Sequence, residues 1–222
     1  MKNRWIFLGI FVGVMVFNTI LFAVVWVFRQ RASTVQQLRV EETKQPADRA
    51  LARRHVRAAF SLKESRQFAD AISAFQNAIQ ADPDFSDGYH GLAQTQREAG
   101  DAAAAVANHD RAIQLDPERF DLYWERGVTH MRLKNYDAAI ADFNTCLTKN
   151  SAFANAHLGL GQSYQHKGEF QKALEHHNES IAMKPDSAWF YRERGNTYRS
   201  MGDRQLADAD FARARELEQS RR

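Results

Sequence analysis

The chain has a single cysteine, Cys146, so no intrachain disulfide framework holds it together. Sequence signatures of catalysis are missing as well. There is no nucleophile elbow, no clustered glycine loop that would cradle phosphate and no His-Glu-x-x-His pair. Asp and Glu are scattered over helix surfaces, a pattern of solvation. No enzyme and no cofactor are expected. His166, His176 and His177 lie close in sequence, but they do not supply the three or four converging ligands a zinc site needs, so no metal is expected either. Cys146 falls where other parts of the chain place Ala or Ser, and is expected to be a small core residue. The net charge of +3 does not signal nucleic-acid binding. Six basic and two acidic residues precede residue 47, which leaves the remainder near −1.

Charge is absent from one stretch altogether. Trp5 to Phe28 contains no ionisable residue, and Asn18 and Thr19 are its clearly polar members. As a helix this run would span about 36 Å, enough to cross a bilayer with some tilt. No Ala-x-Ala cleavage pattern follows, so an uncleaved single-pass anchor is expected rather than a signal peptide. Gly9 and Gly13 form a Gly-x-x-x-Gly pair, with Asn18 on the opposite side, and all three are candidates for contacts inside the membrane. Basic residues stand on both sides of the run, and the side of the membrane holding the rest of the chain stays open. The expected setting is a membrane, with a bacterial inner membrane as the expected host.

What the chain does have is a period. Ala71, Ala105, Ala139, Ala173 and Ala207 recur at one constant interval, and Ala59, Ala93, Gly127, Gly161 and Gly195 recur at the same interval. A fixed period of this size, roughly 34 residues, means stacked copies of one small unit. Within each copy the apolar spacing is close to 3.6, which predicts amphipathic helices. Asp82-Pro83, Asp116-Pro117 and Lys184-Pro185 close three units, and Gly100, Gly168 and Gly202 fall mid-unit. Each unit is therefore helix, turn, helix. The expected organisation is a basic tail over 1–4, the anchor over 5–28, a polar linker over 29–50 and a solenoid over 51–222. The units run at about 52–85, 86–119, 120–153, 154–187 and 188–221. The small residues at the two recurring positions are expected to face each other across each helix pair.

This pattern resembles the tetratricopeptide repeat (TPR). Unit three reads Tyr123, Arg126-Gly127, Tyr136, Ala139, Phe143; unit four reads His157, Leu160-Gly161, Tyr164, Gly168, Ala173, Pro185. Ser151 departs from the pattern by replacing a proline. His109 and His177 depart by standing where the family has a large apolar residue. The resemblance implies an all-α, right-handed superhelical TPR solenoid of antiparallel helix pairs, here preceded by one transmembrane helix.

The resemblance also implies a concave groove lined by the first helices. On this chain those positions are Arg53, Val56, Phe60 and Lys63, then His90, Gln94 and Arg97. Trp124, Val128 and Met131 follow, then Leu158, Gln162 and Gln165, and last Trp189, Arg192, Asn196 and Arg199. An aromatic and aliphatic centre with arginine toward both ends suits a protein partner that offers a peptide or helix segment with acidic character. The expected function is a membrane-anchored scaffold or adaptor in the assembly or stabilisation of a membrane or envelope complex. The alternative is a permanent structural subunit of such a complex, held through the anchor and the outer helix faces, with homo-oligomerisation open in either case.

Overall fold

The computed structural model describes residue 29 and residues 48–220. The expected anchor, with Gly9, Gly13 and Asn18, lies outside the described residues. Among those described, no helix is long and apolar enough to cross a membrane. The chain divides between Ala50 and Leu51, and the second unit holds the repeats.

Ten helices and no strand make up the described part of the repeat unit. There α1 is described over 48–64, its first three residues preceding the division, followed by α2 (Phe68–Ala81), α3 (Ser86–Ala99) and α4 (Ala102–Leu115). Next come α5 (Phe120–Arg132), α6 (Tyr136–Lys149), α7 (Ala154–His166), α8 (Phe170–Met183), α9 (Ala188–Met201) and α10 (Arg204–Gln219). From α2 onward, each helix packs against the next one along the chain. Successive odd helices from α3 to α9 also touch one another, whereas successive even helices do not. The odd helices therefore form the inner, concave layer and the even helices the outer one.

Local chemistry sets the helix ends. Within each pair the turn needs one left-handed residue. Gly100 and Gly202 supply it at φ 101° and 93°, while Arg66 and Lys134 adopt it at 58° and 60° despite their side chains. Between units, Asp82 takes extended backbone and Asp116 and Lys184 lie near it, at φ −142° and −139° with ψ 75° and 77°, outside the helical region that a residue before proline avoids. Asn150 is extended like Asp82, without a proline after it. Its Oδ1 accepts from the Ala152 N–H at 3.2 Å, the same Asx turn that Asp82 makes with the Asp84 N–H at 3.1 Å across Pro83, so the turn holds with or without the ring. Ser151 is thus accommodated with no change of path.

The recurring alanines are buried to the last atom, from Ala59 and Ala71 to Ala139 and Ala173. The small residue on the odd helix, however, does not chiefly meet the alanine of its pair. A methyl group built on Gly127 would lie 2.7 Å from the Phe143 ring, and one on Gly161 would lie 2.5 Å from the His177 ring. Gly195 has the same relation to Phe211. The position is small because a ring packs directly against the helix backbone there.

Candidate partner-binding groove

The inner layer brings its middle residues together as a half-buried apolar floor. Trp124, Val128 and Met131 pack on the buried cluster of Ala139, Phe143, Cys146, Ala156 and Leu160. The Trp124 ring meets Phe153 edge-on with centroids 5.7 Å apart, and Phe153 in turn meets Phe120 at 5.1 Å. Trp124 is therefore anchored by the protein while one side of it stays accessible. Leu158 differs from expectation. It is 1% exposed and packs with Ala154, Ile181 and Phe190, so it supports the helix junction and offers no surface to a partner. Val56 is likewise buried, in the cluster with Ala59, Phe75 and Ala78.

Toward the N-terminal end, the groove polar groups are tied to one another. Glu125, only 8% exposed, accepts from Arg97 Nη1 at 2.6 Å and from Gln94 Nε2 at 2.8 Å. Gln94 also lies 3.1 Å from the His90 ring, and burial holds His90 below the usual histidine range. Lys63 donates to Gln94 at 3.3 Å and pairs with Glu98 at 2.9 Å. Arg97 is thus neutralised inside the protein and is not the free cation expected of it. Phe60 stands edge-on to Phe75 at 5.2 Å. A cavity of about 490 Å³ opens here, between Phe60, Phe68, Lys63, Arg66, Glu98 and Arg132. Arg53 is exposed.

The C-terminal end is more open. Trp189 is 49% exposed and donates its indole N–H to Glu193 at 3.2 Å. Arg192 pairs with Glu218 at 2.6 Å, both half in solvent. Arg199 donates to Asn196 at 2.9 Å and lies over the Phe211 ring at 5.5 Å. Gln165 accepts from the Thr197 hydroxyl at 3.0 Å. Gln162 is half-buried on the same layer.

Glu125 is not among the expected site residues. A signal for it exists: Glu193 repeats it two units later, with Gly91 and Gly159 at the same position of the units between and before. The carboxylate stands in units three and five, with glycine in units two and four and Arg57 in unit one, and a frame of one unit averages it away.

The grouped histidines separate. His166 stacks on Tyr136 at 4.9 Å, His177 is buried, and His176 Nδ1 lies 3.2 Å from His157 Nδ1. No three His, Cys, Asp or Glu residues converge as a metal site among the described residues. Burial pushes the Cys146 thiol up to about 12, so its reactive thiolate is scarcely populated near neutrality.

Comparison with known proteins agrees with this architecture. The family model described as tetratricopeptide repeat matches residues 56–118, 90–151 and 125–188, more than half of the chain. Among solved structures, MamA is 26% identical with a TM-score of 0.65, covering 73% of this chain and 95% of that one. TTC0263, a thermophilic TPR protein of Thermus thermophilus, is 21% identical with a TM-score of 0.65, covering 75% and 91%. YrrB, described as a TPR protein with an unusual peptide-binding site, is 18% identical with a TM-score of 0.60, covering 82% and 91%. No curated protein matches in sequence. Matched over most of its repeats and built as stacked helix pairs with an inner groove, this chain belongs to the tetratricopeptide repeat family.

Proposed function

We propose that the chain is a membrane-anchored scaffold that holds a segment of a partner protein in the groove of its odd helices. The observation that carries this reading is the inner layer itself. Trp124, Val128 and Met131 form an accessible apolar floor, and Trp189, 49% exposed, extends it beyond any need of the core. A peptide or a helix laid along the layer would place apolar side chains on this floor. Arg53 at one end, and Arg192 and Arg199 at the other, favour acidic flanks, with Arg192 exchanging Glu218 for the partner's carboxylate. Arg97 contributes nothing to this preference. The run from Trp5 to Phe28 supplies the anchor, which raises local concentration at one membrane, so that modest groove affinity suffices for stable association. Assembly or stabilisation of a membrane or envelope complex is the setting that suits such a device.

The test compares wild type with a Trp189→Ala/Asn196→Ala variant, both purified from gently solubilised membranes and analysed for co-purifying proteins. Both side chains touch solvent, so the variant is expected to keep its fold. Loss of a defined partner with unchanged circular dichroism supports the groove. Retention of the same partners at fixed stoichiometry rejects it in favour of a permanent subunit held through other faces.

A further inference from the structure

The two ends of the solenoid are built differently, and between Asp48 and Glu64 the N-terminal helix carries charge of one sign. In the later units, the residues equivalent to Arg54 are Gly88, Leu122, Ala156 and Phe190, all buried. Those equivalent to Arg57 include Gly91, Glu125 and Gly159, also buried. The glycines among them show what covers this face, which is the preceding helix pair: Gly88 lies on Ile79, Gly91 on Phe75 and Gly159 on Phe143. No repeat precedes α1 among the described residues, and there the same face holds Arg54 and Arg57, both exposed, with exposed Arg53 beside them. No acidic residue occurs between Asp48 and Glu64.

A polar outer face is what any terminal repeat needs for solubility. The other end shows what solubility alone looks like. α10 mixes Arg204, Arg213 and Arg215 with Asp208, Glu216 and Glu218, and pairs Arg213 with Glu216 at 3.1 Å. The α1 face has no such mixing. Leu51, 43% exposed, Arg54, Ala58 and Ser61 fall on one stripe of the helix, so an apolar edge borders the cations.

The structure assigns this α1 face to an anionic membrane surface. Cations of one sign beside an exposed leucine match a layer of phosphate headgroups above acyl chains. The covalent connection supports that occupant over others, since only the short linker over 29–50 separates Phe28 from Leu51. The inference rests on the anchor proposed above, and adds that the solenoid is held with its first repeat against the lipid instead of swinging free on the linker.

The full chain is reconstituted in nanodiscs of phosphatidylcholine alone, or with about 30% phosphatidylglycerol, carrying a fluorophore at Ser61→Cys while buried Cys146 stays unlabelled. Acrylamide quenching is expected to fall by at least about two-fold with phosphatidylglycerol, and the protection should vanish in about 0.5 M salt and in R54E/R57E. Equal quenching in both discs overturns the assignment while leaving the anchor intact. Should the chain enter neither disc, the anchor fails, and vesicle flotation then decides the α1 face. Flotation with phosphatidylglycerol vesicles and not with phosphatidylcholine ones supports the face; flotation with neither overturns it.

Discussion

Two kinds of junction alternate along the solenoid. Where α2 meets α3, and α6 meets α7, a buried phenylalanine lies on a glycine: Phe75 on Gly91, and Phe143 on Gly159. Where α4 meets α5, and α8 meets α9, the same position holds His109 or His177, each fully buried with neither ring nitrogen hydrogen-bonded. Beside each histidine stands an arginine clamp. Arg126 donates to both Asp142 oxygens at 2.9 and 2.6 Å and to Asp110 at 2.6 Å. Arg194 does the same with Asp210 at 2.9 and 2.8 Å and with Asn178 at 2.6 Å. The true period of the chain is thus two units, with apolar seams alternating with polar ones. The difference shows that one backbone geometry accepts two chemistries, provided each ring is matched by what faces it.

The comparison breaks most severely at its best-packed ring. Phe143 is fully buried between Gly127 and Gly159, so Phe143→Ala leaves a cavity on two helices at once. A loss of about 3–5 kcal/mol is expected, read from urea unfolding followed by circular dichroism. The polar seam should break nearly as badly by a different route. Arg126→Met leaves Asp142, 4% exposed, as a buried carboxylate without its bidentate partner, at a cost of about 3 kcal/mol. Replacing both, as Arg126→Met/Asp142→Leu, should recover most of that loss, because the charge that needed a partner is gone. If the double variant is no better than the single one, the clamp acts through shape and not through charge.

A smaller effect separates the seams more sharply. At Gly159 a methyl group would lie 2.6 Å from the Phe143 ring, so Gly159→Ala should cost about 1–3 kcal/mol through overpacking, against alanine's better helix propensity. The equivalent residue of the polar seam is already Glu125, so the tight approach belongs to the phenylalanine seams alone. A stabilising Gly159→Ala in the same unfolding assay would show that the ring has room to move.

Much of this molecule is legible in its residues alone. The evenly spaced alanines set the repeat, the prolines and glycines punctuate it, and the inner-layer positions follow from the family resemblance. What escapes is pairing across units. Nothing in the period says that Arg97 finds Glu125, because that contact depends on how far one helix pair is rotated against the next. Leu158 escapes for the same reason, since rotation between pairs turns a nominal groove position into the junction with Phe190. The order Phe75, His109, Phe143, His177, Phe211 is in plain view, yet its meaning requires knowing that each ring faces a glycine or stands beside an arginine clamp.

Mild acid should separate the two seams with the gentlest perturbation. Burial lowers His177 from 6.5 to about 4 and His109 to about 2, helped by Arg194 and His176 around the first, and by His90, Arg97, Arg126 and His130 around the second. Both rings are neutral in the folded chain and free to protonate once unfolded. Below pH 6.5 the unfolded state therefore binds more protons, and stability that is complete above 6.5 drains away as the pH falls toward the folded values. Between pH 6.5 and 5.5 the loss is on the order of 1 kcal/mol for each histidine. The phenylalanine seams have no titrating ring to contribute. The urea midpoint of the full chain should accordingly drop over this window, and His109→Leu/His177→Leu should flatten the drop even if it lowers the midpoint at neutral pH. An unchanged slope in that variant would move the acid sensitivity from these two rings to the other histidines that burial holds below the usual range, His90, His157 and His176.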